Sequence, residues 1–296
     1  MAKFVISAFA DEAGAPIEEQ IKALKENGLS YIEPRMVDKR NMITLSDEEL
    51  TEIAGKLRDA GIKVGSLGSP IGKYPIEDDF DKHLEEFDRA LRACEIFGTD
   101  KMRIFSFYVE KEKMGEYRDE VMRRLSVLVE RAKAKGITLC HENEAKIYGE
   151  SPEGVADILA SVPGLGGIFD AANYCATNHD PVKGIDVTLP KLVYVHIKDA
   201  LTTKPGETMV MLPAGDGEGK IADALMKIDA ATDRTVMLTL EPHLFNSSAF
   251  KAVDSRELGG RHAFDTEREA FDYALRALEK LLTECGFKEE NGVWTK

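Results

Sequence analysis

Residues 235–241, TVMLTLE, alternate between two kinds of side chain, and this alternation indicates the fold. Val236, Leu238 and Leu240 form an apolar row, and the residues between them form a mixed row that ends in Glu241. Successive side chains of a strand point to opposite faces, so the two rows face different surroundings. The stretch therefore predicts a strand with helices packed on one side and a barrel interior on the other.

Seven similar runs precede this one, and longer helical patterns separate them. The runs are KFVISAF (3–9), SYIEP (30–34), IKVGSLG (62–68), KMRIFSF (101–107), ITLCHE (137–142), GIFDA (167–171) and LVYVHIK (192–198). Ser46 with Glu49 forms a capping box, Ser151 precedes Pro152 at a helix start, and Thr266 caps the last long helix. Eight strand–helix alternations predict one α/β domain over residues 1–296, a parallel (β/α)8 TIM barrel.

An open, doubly wound sheet is the rival fold, and it usually carries a glycine-rich phosphate turn after the first strand. Here that turn has the sequence AFADEAGAP (8–16). The stretch PAGDGEG (213–219) is rich in glycine, but it follows no predicted strand and matches no phosphate-binding motif. The closed barrel is therefore preferred.

Composition excludes several classes of protein. The 296 residues contain 39 Lys and Arg against 53 Asp and Glu, which gives a net charge of −14 and argues against nucleic acid and anionic membranes as partners. The four cysteines form no CxxC pair, so neither a disulfide scaffold nor a thiolate zinc motif is expected. No apolar run approaches the ~18 residues of a membrane span. A cytoplasmic protein that binds a small molecule is expected.

Four inward-facing polar residues end four successive strands. They are Glu142, Asp170, His196 and Glu241, each about one strand–helix unit from the next. Active sites of TIM barrels form at this end of the strands. Three carboxylates and one imidazole suit Mn²⁺, Mg²⁺ or Co²⁺, and Zn²⁺ less well. The alternative is a set of ordinary polar residues on the barrel rim, and their common register favours one metal site.

These stretches resemble the xylose isomerase-like TIM barrels, which include sugar and sugar-phosphate isomerases and epimerases. The matching segments are HENEAKIYGESPE (141–153), FDAANY (169–174), VHIKDA (195–200) and LEPHL (240–244). The resemblance implies that Glu142, Asp170, His196 and Glu241 bind one divalent metal, with Mn²⁺ the first choice. It also implies that Glu142 and Glu241 are the acid–base pair.

The implied reaction is proton abstraction next to a sugar carbonyl through a metal-stabilised enediolate. The substrate would be a small sugar or sugar phosphate, and the fold is compatible with a homo-oligomer. Residues 199–204 lack the arginine that often follows the strand-seven histidine in ketose 3-epimerases. The alternative is a metal-dependent lyase or dehydratase that acts on a sugar, inosose or C-glycoside by β-elimination.

Two inward-facing residues are candidates for binding the substrate. Lys198 shares the parity of His196 and could meet a substrate hydroxyl or phosphate, or form a salt bridge with Asp199 or with a ligand carboxylate. Glu33 ends the second strand and could bind a sugar hydroxyl or pair with Arg35.

Four more residues are candidates for contact with the substrate, and for Glu144 and Asn173 the alternative is hydrogen bonding behind the metal ligands or within a loop. Glu144 stands where many relatives have histidine, Asn173 follows Asp170, and His243 follows the Glu-Pro element. Arg261 belongs to the long segment 245–264, which we interpret as a lid or an oligomer contact. His83 and His179 are interpreted as a helix-surface and a loop histidine.

Two further classes of function are compatible with the fold. A sugar-binding barrel without catalysis would not need both Glu142 and Glu241. A DNA-repair endonuclease of the same fold builds a three-zinc site from many histidines, and this acidic chain has only six. Both are less favoured than the metal-dependent enzyme.

Overall fold

A computed structural model of the chain describes residues 1–204, 207–245, 258–260 and 262–296. Its strands are distributed along the whole of the described chain. They are β1 (Lys3–Ala8), β2 (Tyr31–Ile32), β3 (Met36–Val37), β4 (Arg40–Asn41), β5 (Lys63–Val64), β6 (Lys101–Ile104), β7 (Thr138–Glu142), β8 (Gly166–Asp170), β9 (Leu192–Ile197), β10 (Asp199–Ala200), β11 (Met209–Leu212), β12 (Thr235–Leu240), β13 (Leu258–Gly260), β14 (Lys288–Glu290) and β15 (Val293–Thr295).

Helices lie between the barrel strands and pack on the outside of the sheet. They are α1 (Ile17–Glu26), α2 (Asp47–Asp59), α3 (Phe80–Phe97), α4 (Met114–Lys133), α5 (Pro152–Ser161), α6 (Ala171–Ala176), α7 (Pro181–Thr188), α8 (Ile221–Ala231) and α9 (Glu267–Glu284). The helix starts agree with the sequence: Ser46 and Glu49 form both bonds of the capping box, and Ser151 and Thr266 accept hydrogen bonds from their helices.

Eight parallel strands close into a barrel, as predicted. Strands β1, β12, β9, β8, β7 and β6 are hydrogen-bonded neighbours in that order, and β2 pairs with β5. The Glu33 amide donates to the Ala8 carbonyl at 3.0 Å, which joins β2 to β1. A parallel bridge between Leu67 and Met102 joins the end of β5 to β6. The fold is therefore an α/β TIM barrel with unusually short second and third barrel strands.

Side-chain parity along β12 follows the sequence prediction. Val236, Leu238 and Leu240 belong to the main core under the helices. Met237 points the other way and packs in the barrel interior with Tyr194, in a small cluster with Val5, Cys140 and Ile168.

The start of β9 departs from the predicted alternation. We expected Val193 to face the helices and Leu192 to face inward, but Leu192 lies in the main core and Val193 packs against the interior cluster. The register with β8 shifts between Gly167 and Ile168, so one residue of β9 is inserted opposite that step. A bulge of this kind reverses the facing of residues on one side of it.

The glycine-rich stretch 213–219 has a structural partner that the sequence did not reveal. The buried Asp199 carboxylate accepts backbone hydrogen bonds from Ala200, Gly215, Gly217 and Gly219 at 2.9–3.1 Å. A Cβ at Gly217 would lie 2.2 Å from Asp199 Oδ1, so glycine is required for this close approach. The loop therefore binds an internal carboxylate.

His83 is buried, and its interpretation as a helix-surface residue was wrong. Its side chain is 1% exposed, it stacks on Tyr74, and its Nε2 accepts a hydrogen bond from the Gly72 amide at 3.2 Å. His83 lies on the face of α3 that packs against the segment before this helix. A polar residue in a helix is therefore not always on the solvent-exposed face.

Two other features complete the described chain. The hairpin β14–β15, which was not predicted, pairs antiparallel with β1 through Trp294 and Val293. No helix in the described ranges is long and apolar enough to cross a membrane. Most of the predicted lid or oligomer-contact segment 245–264, namely 246–257 and 261, lies outside the described residues.

Candidate metal centre

Four side chains meet at the carboxyl ends of four neighbouring strands. Glu142 and Asp170 end β7 and β8, His196 lies near the end of β9, and Glu241 follows β12 directly. Each is 3% exposed or less, and one ligand atom from each lies within 4.8 Å of the others. The four residues that the sequence placed in one register therefore form one buried cluster.

The cluster contains polar atoms that have no hydrogen-bond partner. Asp170 Oδ2, Glu241 Oε2 and both ring nitrogens of His196 are all buried in this condition. A buried polar atom left without a hydrogen bond is costly, and such atoms at one point are expected where a further group binds. Three carboxylates with one imidazole are a hard donor set, so the residues fit a divalent cation.

The backbone around Asp170 is fixed by two asparagines. Asn143 exchanges two hydrogen bonds with the Asp170 backbone at 2.9 and 3.0 Å. Asp170 Oδ1 caps α6 by accepting a hydrogen bond from the backbone N–H of Asn173 at 2.9 Å. Asn173 Nδ2 in turn donates to Glu142 Oε1 at 3.1 Å. Asn173 thus links two members of the cluster.

Each of the two glutamates is held by its own buried arginine. Arg103 Nη1 lies 3.2 Å from Glu142 Oε2, and Arg35 Nη1 lies 2.9 Å from Glu241 Oε1. Both guanidinium groups lie against the Phe9 ring, at 4.9 and 4.4 Å from its centroid. The other oxygen of each glutamate points to His196 Nδ1, at 3.2 Å for Glu142 and 3.3 Å for Glu241.

The sequence did not single out Arg103, and it offered Arg35 only as a possible partner of Glu33. Arg103 lies inside β6 between buried apolar residues, and Arg35 follows Glu33 and Pro34 just beyond β2. An arginine inside an apolar strand is expected to be buried and then requires an acidic partner, and for Arg103 that was the available signal. Arg35 also contacts Asp11 at 2.9 Å and does not pair with Glu33 in the described contacts.

Burial and neighbouring charges shift the pKa values of the cluster. Burial raises the pKa of Asp170 to about 6, although the Lys198 ammonium opposes this. Burial alone would lower the pKa of His196, but the Glu142 and Glu33 carboxylates raise it well above its ordinary value. Burial opposes ionisation of Glu241 as well, yet Lys198 and His196 hold its pKa well below the usual range. Cations thus keep the cluster ionised.

The structure places Lys198 and Glu33 beside the cluster. Lys198 Nζ is 2.8 Å from Asp170 Oδ2, which is the salt bridge to a ligand carboxylate that the sequence left open. Glu33 is 0% exposed and accepts hydrogen bonds from Tyr194 and Thr239.

The other predicted substrate residues lie at different distances from the centre. His243 Nε2 is 3.4 Å from Glu241 Oε1, and its Nδ1 is 2.8 Å from Glu12 Oε1. Glu144 forms a rim salt bridge with Lys73 at 3.0 Å. Arg261 lies outside the described residues.

Comparisons with known proteins agree with this geometry. The model of the family described as Xylose isomerase-like TIM barrel matches residues 21–243, which include all four clustered residues. No curated protein sequence matches the chain. Structural likenesses are extensive, but at under 25% identity they show the fold alone.

Three solved structures illustrate the likeness. The IOLI protein with a bound zinc atom has a TM-score of 0.74 at 16% identity, covering 95% of this chain and 98% of its own. A xylose isomerase-like TIM barrel/4-hydroxyphenylpyruvate dioxygenase fusion protein has a TM-score of 0.71 at 20% identity, covering 95% of this chain, which spans 43% of that longer protein. L-ribulose 3-epimerase has a TM-score of 0.64 at 17% identity, covering 97% of each chain. Fold, site and family model agree: the chain belongs to the xylose isomerase-like TIM barrel family.

Proposed function

We propose that the chain is a divalent-metal-dependent isomerase or epimerase that moves a proton next to the carbonyl of a small sugar. The observation that carries this proposal is the matched arrangement of Glu142 and Glu241. Each has one oxygen fixed by an arginine and the other directed at the centre of the cluster. Two oriented carboxylates are what proton removal and proton return require.

The arginines define what each glutamate can do. A carboxylate that is paired on one oxygen stays ionised and keeps a fixed direction for its second oxygen. Glu142 would therefore act from the β7 side and Glu241 from the β12 side of a bound substrate. One removes the proton and the other returns it, and return to a neighbouring atom gives isomerisation in place of epimerisation.

Glu142, Asp170, His196 and Glu241 would hold the metal. When bound, a divalent cation supplies Lewis-acid stabilisation of the negative charge that develops on the substrate oxygens. Mn²⁺ is the metal that we propose first because the donor set is mostly carboxylate oxygen.

Residues around the cluster would orient the sugar. Lys198, Asn173 and His243 touch the ligand carboxylates and would contact substrate oxygens, and Glu144, which pairs with Lys73, would lie farther out. Arg261 is kept as a substrate residue on the basis of the sequence alone. The described cations at the centre already contact carboxylates, which supports an unphosphorylated sugar. Arg261 is the residue that would extend the site to a phosphate.

We also propose where the protein is located and how it is organised. Cys94, Cys140 and Cys175 are free and buried, and Cys285 is free and partly buried, as is usual in a reducing compartment. We place the protein in the cytoplasm, as one domain over residues 1–296, able to form homo-oligomers.

Deuterium uptake tests the proposal. The purified protein, stripped of metal and reloaded with Mn²⁺, Mg²⁺, Co²⁺ or Zn²⁺, is incubated with ketoses and ketose phosphates in D₂O. We expect metal-dependent deuterium incorporation at a carbon beside the carbonyl, together with a stereoisomeric product. Loss of water or of an aglycone without such a product would assign a lyase. Absence of exchange with every sugar and metal would contradict the proposal.

A further inference from the structure

Glu33 lies behind His196, on the side away from the other cluster carboxylates. It follows β2 directly and is fully buried. Its Oε1 accepts from the Tyr194 hydroxyl at 2.7 Å, and its Oε2 accepts from the Thr239 hydroxyl at 2.9 Å. The same Oε2 faces His196 Nε2 at 3.4 Å. Both carboxylate oxygens thus point to groups of the barrel wall.

The two nitrogens of His196 face opposite sides. Nδ1 lies between Glu142 and Glu241, at 3.2 and 3.3 Å, whereas Nε2 faces Glu33 at 3.4 Å. Neither nitrogen forms a hydrogen bond within the described part of the chain, so both can take a new partner when a cation binds. The Phe9 ring meets the imidazole edge to face at 5.1 Å, and the Tyr194 ring packs against it at 5.5 Å. These rings limit the rotation that would exchange the two nitrogens.

We propose that Glu33 is a positioning residue that holds the proton of His196 on Nε2 and thereby presents Nδ1 to the metal. A neutral imidazole carries one proton, so a nitrogen that binds a metal requires the proton on the other nitrogen. A carboxylate that accepts this N–H fixes the tautomer and ring orientation and makes the ligand more basic. This role rests on the proposed metal centre and concerns its assembly.

The contacts of Glu33 favour this role over contact with a sugar hydroxyl. Tyr194 and Thr239 already donate to its two oxygens, and His196 occupies the remaining direction of Oε2. Ser66 continues the network by a 3.0 Å hydrogen bond to the Tyr194 hydroxyl. Glu33 is therefore fixed from behind, as a residue that orients another must be.

Metal affinity measures this role without any substrate. We expect Glu33→Gln and Glu33→Leu to weaken Mn²⁺ binding to the full chain by about 10–100-fold in calorimetric titrations. The matched control is Glu77→Gln, since Glu77 also accepts a tyrosine hydroxyl, that of Tyr117 at 2.7 Å, but on the surface. The control should bind Mn²⁺ as the wild type does. Unchanged affinity in both Glu33 variants would overturn the inference.

A spectroscopic measurement covers the case in which the variants do not fold. Wild-type protein with ¹⁵N-labelled histidine is loaded with ¹¹³Cd²⁺, and the metal–nitrogen coupling identifies the bound nitrogen. We expect coupling to Nδ1 of His196 and a proton on Nε2 that exchanges slowly with water. Coupling to Nε2 would overturn the inference.

These experiments distinguish failure of the positioning role from failure of the proposed activity. Mn²⁺ binding that depends on Glu33, without exchange on any sugar, would support the positioning role and contradict the isomerase or epimerase. Deuterium exchange on a sugar, together with metal binding that does not depend on Glu33, would support the isomerase or epimerase and contradict the positioning role. A wild-type chain that binds no divalent metal would contradict both.

Discussion

Lys198 Nζ lies 2.8 Å from Oδ2 of Asp170, inside the cluster of candidate metal ligands. The same ammonium is 3.6 Å from Oε2 of Glu241. Both oxygens lack a hydrogen bond, so the lysine acts on them chiefly through charge. It therefore competes electrostatically with a cation at the centre while it neutralises part of the buried acid.

Replacement of Lys198 by Met should strengthen Mn²⁺ binding about tenfold and lower sugar exchange. The variant removes repulsion between an ammonium and a dication a few ångströms apart, which is strong in a buried site. Calorimetric titration of the metal-free protein measures the change. Lys227→Met, which breaks a surface pair with Asp186, serves as the control and should leave the affinity unchanged. Weaker binding in Lys198→Met would show that the lysine supports the metal.

Replacement of Arg35 by Met should lower the free energy of unfolding by about 3–5 kcal/mol, because it leaves buried charge without its partner. Arg35 is 2% exposed and contacts Asp11 and Glu241, both at 2.9 Å. Urea unfolding of the metal-free protein measures the loss. Arg92→Met, at an exposed pair with Asp47, should cost less than about 1 kcal/mol. Equal losses in the two variants would contradict the assigned role.

Much of this site follows from strand parity. The positions of Glu142, Asp170, His196 and Glu241 could be predicted because each lies at or near the end of a run in which inward-facing and outward-facing residues alternate around it. Arg103 was missed and Arg35 was given Glu33 as its partner, because the true partners are distant in sequence. Only the closed barrel brings these arginines to Glu142 and Glu241. The reversal at Leu192 and Val193 depends on the register with a neighbouring strand. Such pairings are tertiary, and no local pattern encodes them.

Replacement of Asp199 by Asn should destabilise the glycine-rich loop 213–219 and lower the free energy of unfolding by about 3 kcal/mol. The carboxylate accepts four backbone hydrogen bonds, and an amide group would present N–H donors to some of these N–H groups. Thermal and denaturant unfolding measure the effect. Asp216→Asn, an exposed change in the same loop, should be nearly neutral. If both variants were neutral, the loop would not depend on Asp199.

Acid should destabilise the protein partly through His83. Burial lowers the pKa of His83 from 6.5 to about 4, and the charge of Arg124 adds to this. Between these values the unfolded chain binds a proton that the folded chain does not, so stability falls as pH decreases from about 6.5 to about 4.

His83→Gln should remove this part of the pH dependence. Measured by urea unfolding, the wild type should lose about 3 kcal/mol more than the variant between about pH 7 and pH 4. Parallel stability curves for the two proteins would show that His83 does not cause the acid sensitivity.

Proton transfer by Glu142 and Glu241 at one metal centre is the main activity that we propose for this site. It is tested most directly by deuterium exchange, measured by NMR with the best sugar from the panel, in the metal-loaded wild type, Glu142→Gln and Glu241→Gln. A general acid–base group contributes about 10²–10⁴-fold, so each variant should lose at least about 100-fold in turnover to product. Metal content is determined in the same samples, so that lost metal is distinguished from lost chemistry. If both metal-loaded variants exchanged deuterium at the wild-type rate, neither glutamate would be the group that transfers the proton.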